Sequence, residues 1–380
     1  MKICKCCNAN VTGAPLLRYE NMPGKAQNFP IAEELKSDKG IDLDIYECPY
    51  CGLIQLFSEP VDYYQDVIRA VGVSESMKKF RKSYFHEFVN KCNLKGKRVL
   101  EVGAGCGEYM ELLAEEDVRV YGIEHLNESV IKAQKKGLSV YQGFIRYEND
   151  KVPGAPYDGF YIMNFLEHIP NPKEFLKGIA FNLQDEAYGL VEVPNGNFIF
   201  GNQMFSEFML DHLTYFTKES LTLILNMCGF EVKECEVIWN DYIIYAIVQK
   251  RSRLDIGPFT SKQEKLVSSI HGYLKEMKNK GRRVAVWGAG HQSLAVISLA
   301  KLQGKIECVI DSADFKQKKY TPATHIPIYS PQKITELDIG AILVMAGSYS
   351  DEVCEIIREK YSGVLAVTLD MVEDKSYEEN

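Results

Sequence analysis

One stretch limits the fold more than any other: RVLEVGAGCGEYM, running from Arg98 to Met110. An apolar run ending in an acid, then a glycine-rich turn, then a helical segment from about Glu108, is a strand that feeds a helix. Glycines there let the backbone approach a ligand closely, and the N–H groups of the helix start face it. The chain around it repeats the alternation, with VRVYGIE, SVYQG, YDGFYIMNF and AYGLVEVPN reading as strands between helical stretches. Such alternation predicts a parallel sheet covered on both faces. It runs to about Lys250, where VIWNDYIIYAIVQK predicts a closing antiparallel hairpin.

A long helical stretch to about Lys280 follows, and then a second alternating unit: RRVAVWGAG, IECVIDSA, DIGAILVMAG and GVLAVTLDM. At 380 residues the chain exceeds one typical domain of ~150 residues. The expected class is α/β, in four parts: a zinc-binding module over 1–60, a helical connector over 61–95, a Rossmann-like domain over 96–252 and a second Rossmann-like domain over 253–380. The connector is read from Met77, Phe80, Tyr84, Phe85 and Val89, which recur at helical spacing.

The zinc expectation comes from CKCC and CPYC. Cys4 and Cys7 form one C-x-x-C knuckle, Cys48 and Cys51 another, and together they supply four thiolates for a closed, structural tetrahedral site. Gly52 suits the turn after the second knuckle, and Cys6 is the odd thiol out. The remaining six of the 11 cysteines are scattered singly, which is not a disulfide framework.

A net charge of −8 with no basic block argues against nucleic acid as partner; the densest basic run is KQKK at 316–319. No apolar run has the ~20 residues of a membrane span, and MKICKCCNAN lacks a signal-peptide core, so a cytoplasmic protein is expected.

Two turns compete for a cofactor. In EVGAGCGEYM the glycines are Gly103, Gly105 and Gly107, and Glu108 stands where a dinucleotide fingerprint wants its last glycine, which counts against NAD. In VWGAGHQS, Gly288 and Gly290 are followed by Ser293, with Asp311 about twenty residues on, so an NAD-dependent enzyme remains a rival. Glu101 before the first turn and Glu124 closing the next strand fit instead an amino-acid cation and a ribose diol.

This pattern resembles the class I S-adenosylmethionine (SAM) methyltransferases. The resemblance implies that Gly103 to Gly107 lie under the methionyl and ribose parts, that Glu124 takes both ribose hydroxyls, that Phe144 sits beside the adenine, and that Asn164 to Glu167 line the opposite side. The whole order of segments, CKCC…CPYCG, NMPGKAQNFP, EVGAGCG, EHIP, VEVPN, DHLTYFTKESL, CGFEV and VWGAGHQS…IDSADFKQKKYTPATHIPI, is similar to the C-methyltransferases of nucleotide-linked ketosugars. That likeness implies a small-molecule substrate on a nucleotide, with the C-terminal domain, through Gly288, Ser293, Asp311 and His325, on the nucleotide side.

Methylating a carbon beside a ketone needs a base for the α-proton, a donor for the enolate oxygen and in-line attack on the sulfonium methyl. Histidine serves either of the first two roles. His168 of EHIP and His212 of DHLTYF match positions where the family has active-site histidines, and Asp211 stands where it has a glutamate. His212 is expected as an acid-oriented base, with Asn195 of VEVPN, Tyr64 and Tyr84 toward the substrate. Plainer roles stay open: His168 closing the SAM pocket, and His212 packed as a capping residue. The family's two tyrosines are replaced by Met209 and Ile68, with Tyr63, Tyr64 and Tyr84 close enough to substitute. Rival readings are an O- or N-methyltransferase on a related precursor and a non-catalytic adaptor; a monomer or small homo-oligomer is expected.

Overall fold

The computed structural model describes residues 1–27, 29–66 and 74–375. They form two compact units, Met1–Arg253 and Leu254–Asn380.

The first unit opens with β1 (Leu17–Met22), β2 (Ile41–Glu47) and β3 (Ile54–Leu56). Turns occupy 62–65, and helix α1 (Glu75–Lys91) starts only at Ser74, whose hydroxyl accepts the Met77 N–H. Of the helical pattern read across 60–95, Glu75–Lys91 is helix, and 67–73 lie outside the described residues. Then come β4 (Arg98–Val102), α2 (Glu108–Ala114), β5 (Arg119–Glu124), α3 (Asn127–Lys135), β6 (Ser139–Gln142), β7 (Tyr157–Met163), α4 (Pro172–Phe181) and β8 (Leu183–Pro194). The unit closes with α5 (Gly196–Gly201), β9 (Thr214–Tyr215), α6 (Lys218–Met227), β10 (Phe230–Ile238) and β11 (Ile243–Lys250).

These build two sheets. The larger has the order β10-β11-β8-β7-β4-β5-β6, parallel from β8 to β6 and antiparallel at β8, β11 and β10. Both faces are buried, as the unbroken apolar run of β7 requires: Phe160 and Ile162 pack among the residues of α4 and α6, Tyr161 and Met163 among those of α1 and α2. The strand order reverses between β4 and β7, and a crevice opens at such a switch point above the carboxyl ends of the strands. The smaller sheet, β1-β2-β3-β9, borrows its last strand from the chain after β8: Gln55 pairs Thr214 and Ile54 pairs Tyr215. The apolar run after His212 is thus a sheet edge that welds the N-terminal strands to the crevice.

The second unit contains α7 (Gly257–Asn279), β12 (Arg283–Trp287), α8 (His291–Leu299), β13 (Val309–Ile310), β14 (Lys319–Tyr320) and β15 (Pro327–Tyr329). It continues with α9 (Lys333–Glu336), β16 (Ile339–Val344), α10 (Ser350–Lys360), β17 (Leu365–Thr368) and α11 (Leu369–Asp374). Its sheet order is β14-β15-β13-β12-β16-β17, parallel except for β14. Among the described residues no helix is long and apolar enough to cross a membrane.

Candidate active site and cysteine cluster

The turn after β4 is pinned to β5. Gly103 and Ala104 donate their N–H groups to the Ile123 carbonyl at 3.0 and 3.1 Å, and the Gly105 N–H reaches Glu124 Oε2 at 2.8 Å. Glu124 Oε1 accepts from the Leu126 N–H at 2.8 Å. Burial pushes this carboxyl's pKa up, and the two backbone donors oppose that. Each carboxylate oxygen keeps a further lone pair, so the acid is fixed in place and still able to accept from a diol. Gly107 caps α2 at φ +82°, and a Cβ there would stand 2.2 Å from Leu138 Cδ1, so any side chain is strained there and pushes Leu138 aside. Glu101 is buried in β4 and accepts from the Tyr161 hydroxyl at 2.9 Å. Asn164 takes the left-handed conformation at φ +49°, with its N–H on the Glu192 carbonyl at 3.1 Å.

Beside Glu124 lies an apolar slot lined by Val102, Gly103, Ile123, Phe144 and Phe165, with Gln65 and His125 at its polar side. A glycine turn and a fixed acid for a diol form a donor set that fits the ribose and methionyl parts of SAM; the slot offers a planar base an apolar wall but is too narrow to admit one until its lining moves. Glu101, Gly103, Gly105, Gly107, Glu124, Phe144 and Asn164 all belong to this end of the sheet.

Residues 63–66 run along the slot. Asp66 pairs with His125 Nδ1 at 2.7 Å, Gln65 accepts from Arg146 at 3.1 Å and donates to the Tyr64 hydroxyl at 2.9 Å, and Tyr64 meets the Phe144 ring edge-on at 5.9 Å. Tyr63 extends this strap to the predicted catalytic segment: its hydroxyl donates to Asp211 Oδ1 at 2.8 Å and accepts the N–H groups of Ala26 and Gln27. Apart from the Gln65–Tyr64 bond these contacts join segments far apart in sequence, so no spacing pattern announces the strap. Ile68 lies outside the described residues.

The two histidines meet. The rings of His168 and His212 are 4.8 Å apart and edge-to-face, at the carboxyl end of the sheet. His168 Nδ1 lies 2.7 Å from the Asp211 backbone oxygen. A carbonyl only accepts, so Nδ1 carries the proton and Nε2 keeps a bare lone pair. Burial lowers the pKa of His168, and burial together with His168 pushes His212 down to about 3. The expected acid-oriented base is arranged differently from its sequence reading. The Asp211 carboxylate bonds to Tyr63, and what Asp211 presents to a histidine is its main chain, to His168. Met209 donates its N–H to the Tyr215 hydroxyl at 3.2 Å, and the Tyr215 ring stands 6.0 Å from that of His212.

The predicted substrate residues divide. Tyr64 faces the slot, and Asn195 caps α5 with its amide on the Asp241 carbonyl at 2.7 Å. Tyr84 is core: it stacks on Phe80 and meets Tyr245 edge-on. In the second unit Gly288, Ser293 and Asp311 line one cleft with Trp287, Lys316 and Met345; His325 is not among its lining residues. Gly288 has φ +117°, and a Cβ would stand 2.6 Å from the Met345 carbonyl oxygen. Asp311 holds the turn, accepting the Ala289 N–H at 2.8 Å and Lys316 Nζ at 2.9 Å, and Ser293 Oγ closes back on the Gly290 carbonyl.

The four knuckle sulfurs converge. Cys4 Sγ is 3.5 Å from Cys51 Sγ, Cys7 Sγ is 3.5 Å from Cys48 Sγ, and all four lie within 4.8 Å of one another. A tetrahedral ion with ~2.3 Å bonds to sulfur needs sulfurs about 3.8 Å apart, so the cluster fits one. Gln55 Nε2 donates to Cys4 Sγ at 3.4 Å, and the Gly52 N–H donates to the Cys48 carbonyl in a turn at φ +68°.

Comparison with known proteins agrees with this geometry. Residues 75–234 match the family described as methyltransferase domain, and residues 255–365 match the C-methyltransferase C-terminal domain. The C-methyltransferase NovU of Streptomyces niveus is 23% identical over 294 residues, 70% of each chain. A ubiquinone biosynthesis O-methyltransferase of Coxiella burnetii is 31% identical over 110 residues, and the chain spans about half of that protein (47%). Among solved structures, the PH0226 protein of Pyrococcus horikoshii aligns with a TM-score of 0.41 at 13% identity, over 50% of this chain and 99% of that one. The chain is a class I SAM-dependent methyltransferase that resembles the C-methyltransferases.

Proposed function

We propose that the enzyme moves a methyl group from SAM to a carbon beside the ketone of a nucleotide-linked sugar, through an enolate made by a histidine base. The observation that carries this is the His168–His212 pair, two imidazoles whose rings are 4.8 Å apart at the carboxyl end of the sheet. O-methylation asks only for a proton acceptor on a hydroxyl. Enolate chemistry asks for an acceptor and a donor together, and this pair supplies both.

Bound SAM supplies an electrophilic sulfonium methyl. Glu124 and the Gly103–Gly107 turn hold its ribose and methionyl parts, and Phe144 holds the adenine. His168 Nε2, kept bare because Nδ1–H is spent on the Asp211 carbonyl, removes the α-proton. His212 stays neutral in its dry surroundings and gives its one N–H to the enolate oxygen. As the carbon–carbon bond forms, the sulfur–methyl bond breaks and its electron pair stays on sulfur. The proton leaves from His168. Tyr63 steadies this arrangement by holding the Asp211 carboxylate.

In the same reading the four-cysteine cluster holds zinc as a structural ion, and the cleft of the second unit around Gly288, Ser293 and Asp311 takes the nucleotide. The protein works in the cytoplasm, where its thiols stay reduced.

The test is deuterium exchange into a nucleotide-linked ketosugar in heavy water without SAM. Exchange at the carbon beside the ketone is expected, and it disappears in His168→Asn. If methylation proceeds with no exchange detectable at any SAM concentration, the enolate route is wrong.

A further inference from the structure

We infer that Glu167, His168 and His212 form a second metal site, distinct from the cysteine cluster and suited to a divalent first-row transition ion. One donor atom from each side chain lies within 4.8 Å of the other two, and Glu167 Oε1 stands 3.9 Å from His168 Nε2. Glu167 Oε1 and His168 Nε2 face each other there, because the N–H of His168 points away, at the Asp211 carbonyl. That outer bond is also the support that a metal-bound imidazole commonly has, its second nitrogen donating to a carbonyl.

A second observation points the same way. Glu167 is 2% exposed, and its Oε2 has no hydrogen-bond partner. A buried carboxyl oxygen without a partner is costly. The main chain holds the residue there, since the Glu167 carbonyl accepts the Leu213 N–H at 2.9 Å and ties it to the segment carrying His212. A cation among these three groups relieves the orphaned oxygen and uses all three lone pairs at once.

Two imidazoles and one carboxylate select zinc, nickel or cobalt over magnesium and calcium, which prefer all-oxygen sets. Bonds of ~2.0–2.1 Å in tetrahedral geometry bring ligand atoms to about 3.3 Å, so the site closes by roughly 1 Å when filled. Three protein ligands leave a fourth position of the tetrahedron to water or substrate. Occupancy takes the His168 lone pair, so under the histidine-base reading, on which this one consequence rests, the metal inhibits.

The experiment titrates the purified zinc-containing protein with Co2+ while recording the visible spectrum and the heat of binding. One equivalent of Co2+ is expected to bind with weak d–d bands and no thiolate-to-cobalt charge transfer. Glu167→Gln and His168→Asn, each checked for an unchanged melting transition, should weaken it by at least about 100-fold, since even outer partners of a ligand are worth ~10–100-fold. No binding beyond the cysteine cluster, a charge-transfer band, or equal affinity in both variants overturns the proposal. If Co2+ binds as described yet leaves methyl transfer untouched, the second site stands and the histidine base falls.

Discussion

Arg81 and Glu192 form an ion pair with both side chains fully buried, one on α1 and the other on β8. The guanidinium also lies over the Tyr109 ring, 5.3 Å from its centroid. Removing one partner leaves an uncompensated charge in the core, so Arg81→Met should cost ~3–5 kcal/mol. For a unit of this size each kcal/mol is worth roughly 2–4 °C, which puts the loss in melting temperature at about 6–20 °C. Replacing both, Arg81→Met with Glu192→Leu, removes the stranded charge and should recover most of it, because a buried pair exchanged for apolar side chains is often neutral. Breaking the exposed Lys78–Glu75 pair should cost only a few tenths of a kcal/mol. Scanning calorimetry on the four proteins reads this directly. A single variant that loses less than ~1 kcal/mol, or a double variant no better than the single one, would refute the claim that desolvated charge governs this contact. The site feels the same perturbation, because the Glu192 carbonyl holds Asn164. Affinity for S-adenosylhomocysteine should therefore fall in Arg81→Met as well.

Tyr63→Phe deletes the hydroxyl that holds Asp211; a hydrogen bond to a charged group is worth ~1.5–3 kcal/mol, so kcat should drop about tenfold or more while KM for SAM changes little. Glu124→Gln keeps the size of the side chain but loses the anion that accepts from the diol. Calorimetry should show S-adenosylhomocysteine binding weakened by roughly 10- to 100-fold. Cys48→Ser removes a ligand from the cysteine cluster. Atomic absorption should find zinc lost, and the melting transition of the first unit should move down.

The parts of the site that lie within one strand–turn–helix step were legible in sequence, because local backbone chemistry fixes them. Gly103, Gly105 and Gly107 had to form a close-approach turn, and Glu124 had to end the next strand. The same holds for the cysteine pairs, whose spacing within each knuckle is itself the signal. What sequence spacing could not reveal depends on contacts between distant segments. The Tyr63–Asp211 bond spans 148 residues and the His125–Asp66 pair 59. Reading Asp211 and His212 as an acid beside its base was natural from adjacency. The pair sits in a turn, however, closed by the His212 N–H on the Met209 carbonyl, and there the carboxylate meets Tyr63 while the main chain meets His168. Tyr84 shows the reverse error. Its nearness in sequence to Ile68, where the family has a tyrosine, places it toward the substrate, but α1 turns that face into the core against Tyr245.

The central claim is that the methyl group ends on carbon beside a ketone. Incubation with SAM and a panel of nucleotide-linked ketosugars, followed by mass spectrometry and proton NMR of the products, tests it most directly. The account predicts one added methyl whose protons couple to a carbon bearing no oxygen, with stoichiometric S-adenosylhomocysteine. A methyl on oxygen or nitrogen, or a panel left wholly unmodified by protein that binds SAM, would contradict it.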